Sequence, residues 1–159
     1  MTNHMTLKEY ILQQMQILNI QPKKALGQNF LIGEDVVKKI ISKVNELKPK
    51  TLIEIGPGLG SLTYFLRQIP NIHYTVIELD HNFSNYWKNE KLNVIEGDAL
   101  KIQFQELIPN VNETDLLPAV LVSNLPYQIS SSIVIERCLD IRPLQAMVLM
   151  FQKEVAQKI

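Results

Sequence analysis

The chain has 159 residues, 46% of them hydrophobic and 20% charged, which is ordinary globular composition and enough length for one domain with a real core. Its only cysteine, Cys138, excludes a disulfide framework and points to a reduced, cytoplasmic setting in which the thiol packs as a small apolar residue; with no stretch near the ~20 apolar residues that cross a bilayer and no apolar leader, a soluble protein with no membrane partner is expected. The formal net charge of zero hides an asymmetry: residues 1–50 carry eight lysines against four acids, whereas residues 51–159 carry eight basic residues against twelve acids, so a polyanion held at one edge and a solvated, Lys-rich helix face are both open readings.

Thr6-Leu7-Lys8-Glu9 has capping-box spacing and opens an amphipathic helix that runs to about Leu18 and stops near Pro22. The stretch KKALGQNFLIG at 23–33 reads as a loop. Val36, Ile40, Val44 and Leu47 recur at three- and four-residue steps and predict a second helix ending before Pro49. Five short β-rich runs follow, at 51–56, 73–79, 92–97, 119–124 and 146–151, with helices predicted between them at 60–68, 81–89, 102–108 and 130–139 and a polar surface loop at 109–118. Near-continuous apolar strands alternating with helices imply an α/β fold: a doubly wound, mostly parallel sheet with helices on both faces and ligands at the carboxyl ends of the strands. The last apolar run, 146–151, would be an exposed sheet edge, which natural proteins avoid; the fold is expected to be incomplete at the C-terminus, in a chain that is part of a longer protein.

The first strand runs into Glu54-Ile55-Gly56-Pro57-Gly58-Leu59-Gly60. Glycines at such a turn let the backbone bend sharply and approach a ligand closely. The G-x-x-G ending of a dinucleotide fingerprint is missing, and Glu54, taken to face the turn, would repel a pyrophosphate and welcome a cation. A nicotinamide-dependent oxidoreductase is therefore disfavoured. The second strand ends at Glu78, where a carboxylate can accept both hydroxyls of a ribose. The third ends in Glu96-Gly97-Asp98-Ala99, where Asp98 can accept from an exocyclic amine such as adenine N6. Each acid alone reads equally well as a helix cap or a solvated turn. Together, at successive strand ends beside a glycine-rich turn, they describe a site for S-adenosyl-L-methionine. No metal-ligating cluster is read from the chain.

The fourth strand delivers SNLPYQISSS, residues 123–132. The Asn124 side-chain oxygen and the Leu125 carbonyl can both accept from an amino group, while Pro126 fixes the chain direction and donates nothing. Two such acceptors draw a target nitrogen toward tetrahedral geometry, with its lone pair facing a methyl donor. Tyr127 offers a ring on which a flipped-out base can stack. The plainer reading is a strand followed by a turn, with Tyr127 packed.

With these motifs assembled, KKALGQNFL (23–31), EIGPGLG (54–60), IEGDAL (95–100), NLPYQISS (124–131) and QKEVAQK (152–158), the chain resembles the ribosomal RNA adenine N6,N6-dimethyltransferases over about residues 20–159. The resemblance implies a Rossmann-like methyltransferase that uses S-adenosyl-L-methionine to place two methyl groups on each target adenosine of small-subunit ribosomal RNA, with that RNA or an immature small ribosomal subunit as partner. It implies that Gln28, Asn29 and Leu31 cover the methionine end of the cofactor, that Gly56 and Gly58 approach it, and that Glu78 holds the ribose and Asp98, with Ala99, the adenine. Asn124, Leu125, Pro126 and Tyr127 would be the catalytic group, Asn124 also bordering the cofactor. Residues 1–50 would then be an N-terminal helical segment with the covering loop, and 51–159 the cofactor-binding core; a helical C-terminal domain found in the family is absent from the sequence. Macrolide-resistance methylases of large-subunit RNA and mitochondrial transcription factors of the same ancestry share most of these motifs, and a non-catalytic RNA-binding assembly factor is the alternative from another class. LGQNFL favours the small-subunit enzyme. A monomer is the working expectation, and Lys23, Lys24, Lys38, Lys39 and Lys43 are the candidates for phosphate contacts.

Overall fold

A computed structural model describes residues 5–20, 33–108, 119–125, 130–138, 144–151 and 157. Helix α1 spans Leu7–Ile17 and begins at the expected capping box: the Glu9 amide donates to Thr6 Oγ1 at 3.3 Å while the Thr6 amide donates to Glu9 Oε2 at 2.7 Å, so two of the helix-end donors that would otherwise lack partners are satisfied. Helix α2 spans Glu34–Leu47 and is closed by Lys48, whose φ of 48° turns the chain out of the helix just before Pro49. Strands β1 (Thr51–Ile55), β2 (His73–Glu78), β3 (Asn93–Glu96), β4 (Ala119–Asn124) and β5 (Ala146–Met150) follow, with α3 (Thr63–Leu66), α4 (His81–Asn89), a 3-10 turn (Phe104–Glu106) and α5 (Ser130–Cys138) between them.

The strands form one sheet in the order β3-β2-β1-β4-β5, and every pairing is parallel. The chain starts in the middle, winds outward through β2 to β3, then crosses to β4 on the other side of β1. This reversal puts a crevice at the carboxyl ends of β1 and β4, where ligands of open α/β sheets sit.

Alternation along the strands divides the core in two. Leu52, Val120 and Val122 join Leu7, Ile11, Val37, Val44, Leu66 and Trp87 on one face; Ile53, Ile55, Ile77 and Leu121 join Phe104, Leu125 and Ile133 on the other. Apolar residues at both parities of the strands therefore feed both layers, the pattern of a parallel sheet covered on both sides. Fully burying each such side chain is worth about 1.5–3 kcal/mol, so the sheet centre is the rigid platform from which the strand ends project.

Three expectations are corrected. Helix 60–68 shrinks to Thr63–Leu66, and its start is delayed because Gly60 takes a φ of 85°, outside the helical region. The stretch 102–108 makes one 3-10 turn; a segment this short does not repay helix nucleation, and it is held instead by burial of Phe104 beneath the Arg137 guanidinium, 4.3 Å from the ring centroid. Cys138 is exposed. Ile133 and Arg137, four residues apart, define the buried face of α5, and the next residue is rotated away from it. Strand β5 ends the sheet and is half-buried throughout; among the described residues β4 is its only strand partner. The loops at 23–33 and 109–118 are not within the described residues, apart from Gly33.

Candidate functional site

The registers bring the expected residues to one rim. Ile55 lies opposite both Ile77 and Ser123, so Gly56 leaves β1 level with Glu78 on one side and Asn124 on the other. Two bonds fix that junction: the Gly56 amide donates to the Ile77 carbonyl at 2.8 Å, and the Ser123 hydroxyl donates to the Ile55 carbonyl at 2.5 Å. One strand further out, Glu78 pairs with Glu96, and the Gly97 amide donates to the Glu78 carbonyl at 2.9 Å, which places Asp98 just beyond β3.

Glu78 and the glycine turn are joined directly. Glu78 Oε2 accepts from the Gly58 amide at 3.1 Å and Oε1 from the Asp80 amide at 2.9 Å. Burial raises the Glu78 pKa, and these backbone donors offset only part of that rise. The Asp98 carboxylate is partly exposed and accepts from the Leu100 amide at 3.0 Å. Ala99 is buried in the second core layer with Phe104. Asn124 is half-buried at the end of β4, and the Leu125 side chain is buried in the second layer. Pro126, Tyr127, Gln28, Asn29 and Leu31 lie outside the described residues.

Glu54 does not face the turn as an open charge. It shares the Leu52 face of β1, is 2% exposed, and accepts from the Thr63 hydroxyl at 2.8 Å and from the Tyr74 hydroxyl. Burial is the largest influence and pushes its pKa up to about 7. A carboxyl that holds its proton more tightly when folded contributes stability below its ordinary value of 4.5 and loses that contribution as pH rises through about 7, at a scale on the order of 3 kcal/mol. Glu54→Gln keeps an oxygen for both hydroxyls and removes the titration. The melting temperature of the parent is therefore expected to fall relative to that of the variant between pH 5 and pH 8, and parallel profiles would contradict this.

Glu96, read only as part of a strand end, belongs to a surface network: Lys88 Nζ lies 2.7 Å from it, His81 Nδ1 2.6 Å and Ser84 Oγ 3.0 Å, and these partners pull its pKa down to about 2. It ties α4 to β3 and is not free for a ligand. Of the lysines, Lys38 pairs with Glu34 at 3.0 Å and Lys43 with Glu46 at 2.8 Å, both on the exposed face of α2; such pairs are weak and readily exchanged. Lys39 is exposed, and Lys23 and Lys24 lie outside the described residues.

The strand expected to reach residue 79 ends at Glu78, and Leu79, between Glu78 and Asp80, is 72% exposed.

The family model described as ribosomal RNA adenine dimethylase matches residues 19–159. The protein named ribosomal RNA small subunit methyltransferase A from Bdellovibrio bacteriovorus is 46% identical over 152 residues, covering 96% of this chain and 53% of that protein; its namesake from Natranaerobius thermophilus is 37% identical over 165 residues, covering 92% and 54%. The chain thus spans about half the length of the curated relatives it matches. A crystal structure from Klebsiella pneumoniae, provisionally assigned as an O-methyltransferase, superposes with a TM-score of 0.55 at 12% identity over 85% of this chain and 60% of that one, a likeness of fold.

Proposed function

The chain belongs to the ribosomal RNA adenine dimethylase family, and from that premise we propose that it binds S-adenosyl-L-methionine and methylates N6 of adenosines in small-subunit ribosomal RNA, two methyl groups on each, during ribosome biogenesis. The observation that carries the reading is the line of Asp98, Glu78, the Gly56–Gly60 turn and Asn124 along neighbouring strand ends, with the Gly58 amide bonded to Glu78. Acidic acceptors beside a turn of left-handed glycines suit a cationic nucleoside better than a pyrophosphate. When bound, the cofactor supplies an electrophilic methyl group with a neutral thioether as leaving group.

In this reading Glu78 accepts the ribose hydroxyls, Asp98 accepts from the adenine amine, the exposed Leu79 forms an apolar wall beside the base, and Gly56 and Gly58 let the backbone come close. Gln28, Asn29 and Leu31 close over the methionine end. Asn124 and the Leu125 carbonyl accept from the target amine, Pro126 holds the direction of that segment, and Tyr127 stacks on the extruded base. Because the leaving group is already good, the protein's contribution is chiefly alignment, for which effective molarities correspond to ~7–11 kcal/mol. Glu54 acts beneath the turn as a buried support.

The test uses the full-length protein with immature small ribosomal subunits and isotopically labelled S-adenosyl-L-methionine. Label on adenosine N6 is expected. Binding to the particle with no transfer in a single-turnover assay would replace the enzyme with a non-catalytic assembly factor. For the RNA surface, alanine at Lys23, Lys24, Lys38, Lys39 and Lys43 together is expected to weaken RNA binding and to flatten the plot of log affinity against log salt, by about one unit of slope for each phosphate that the lysines had neutralised. An unchanged slope would reduce these lysines to a solvated helix face.

A further inference from the structure

We infer that Trp87 is a positioning residue for cofactor binding: it clamps the glycine-rich turn from beneath and couples it to the segment that carries Glu78. This rests on the rim being the S-adenosyl-L-methionine site.

Trp87 lies on α4 and is fully buried. Its indole Nε1 donates to the Gly58 carbonyl at 3.0 Å, while the amide of the same glycine donates to Glu78. Both backbone groups of the central glycine are thus held by one segment, β2 through α4. That segment is itself braced, because Glu78 Oε1 accepts from the Asp80 amide and the Asp80 side chain caps α4 by accepting from the amides of Asn82 at 2.8 Å and Phe83 at 3.2 Å. Gly58, Glu78, Asp80, α4 and Trp87 close a circuit.

The glycines of the turn then have different reasons to be glycine. A methyl group on Gly56 would meet nothing within 4 Å, so its space lies open. A Cβ on Gly60 would fall 2.5 Å from Trp87 Cη2 and 2.7 Å from Cζ2, and 3.1 Å from the Tyr10 hydroxyl. The indole occupies the volume that Gly60 leaves vacant, and the φ of 85° adds its own bar to a side chain there. If ribose hydroxyls take over the Glu78 oxygens, the Gly58 amide loses an acceptor, but the Trp87 bond to the carbonyl persists. The turn keeps its shape while its ligand-facing bond exchanges.

Trp87 is also the sole tryptophan of these 159 residues, so in a protein of this sequence its emission reports on this turn without labelling. The experiment titrates S-adenosylhomocysteine into the parent, Trp87→Phe and Gly60→Ala, with calorimetry on each at a temperature where circular dichroism shows it folded. Fluorescence is followed in the parent and in Gly60→Ala. Phenylalanine retains an aromatic filler and removes the N–H, so binding about three- to tenfold weaker is expected, the worth of one hydrogen bond. Gly60→Ala, which attacks the same contact from the other side, is expected to weaken binding at least as much. Parent emission should shift with a midpoint matching the calorimetric Kd. A purely structural tryptophan would lower the melting temperature and leave both Kd and the ligand-dependent emission unmoved. If the parent binds and Trp87→Phe binds equally well, or parent emission ignores the ligand, the inference falls and the cofactor reading stands; should Trp87→Phe fail to fold, Gly60→Ala and the parent emission decide by the same criteria. If the parent does not bind the nucleoside, the cofactor reading falls and the inference with it.

Discussion

Asn124→Ala is expected to reduce methyl transfer at least about a hundredfold while leaving the affinity for S-adenosylhomocysteine within about twofold of the parent. Asn124 ends β4 level with Gly56, which sets it at the crevice between β1 and β4. In the proposed reading its amide oxygen, with the Leu125 carbonyl, would offer a target amine two acceptors. Alanine keeps the strand, whose pairing runs through backbone groups, and removes one of the two acceptors. The nitrogen would still reach the methyl group but with its lone pair poorly aimed, and small misplacements of a reacting atom cost rates of this size. Single-turnover transfer and calorimetry on the same preparation separate the two effects. Equal loss of transfer and affinity would contradict the assigned role and make Asn124 a cofactor contact alone.

Glu78→Ala should act on the other half of the cycle, weakening cofactor affinity by about a hundredfold. Two hydrogen bonds to an ionised acceptor carry roughly 1.5–3 kcal/mol each, and part of this is offset because the Gly58 and Asp80 amides already occupy the carboxylate in the free protein. The variant also leaves those two amides without their acceptor, so the turn loosens as the ligand contact disappears. Burial raises the Glu78 pKa, and the affinity of the parent is therefore expected to decline on acidification from a higher pH than an ordinary surface carboxylate would allow. Calorimetry across pH checks this; an affinity equal to that of the parent would remove Glu78 from the site.

The strands are legible because most are short β-rich runs with Gly, Pro, Asn or Asp close to an end, and β4 folds from Ala119 to Asn124, the expected bounds. The Thr6–Glu9 capping box located the start of α1 for a local reason: its partners are three residues apart. The gathering of Glu78 and Asp98 on one rim followed from topology, since parallel strands present their carboxyl ends together.

What was not legible depends on distant partners. The surroundings of Glu54 turn on Thr63 and on Tyr74, twenty residues away on the neighbouring strand, and no local pattern announces them. Strand parity alone, however, would have set Glu54 beside Leu52 and inside the layer that holds Trp87. The clamp of Trp87 on Gly58 spans 29 residues. Cys138 was misread from composition, because cysteine is usually buried while its place on α5 depends on which face Ile133 and Arg137 claim.

The most direct measurement is a crystal of the protein grown with S-adenosylhomocysteine. The account predicts the ribose hydroxyls within hydrogen-bond distance of the Glu78 carboxylate, the adenine amine against Asp98, and the sulfur facing Asn124 across the glycine turn. A nucleoside bound with Glu78 and Asp98 remote from it, or with Tyr127 sealed in the hydrophobic interior, would contradict it.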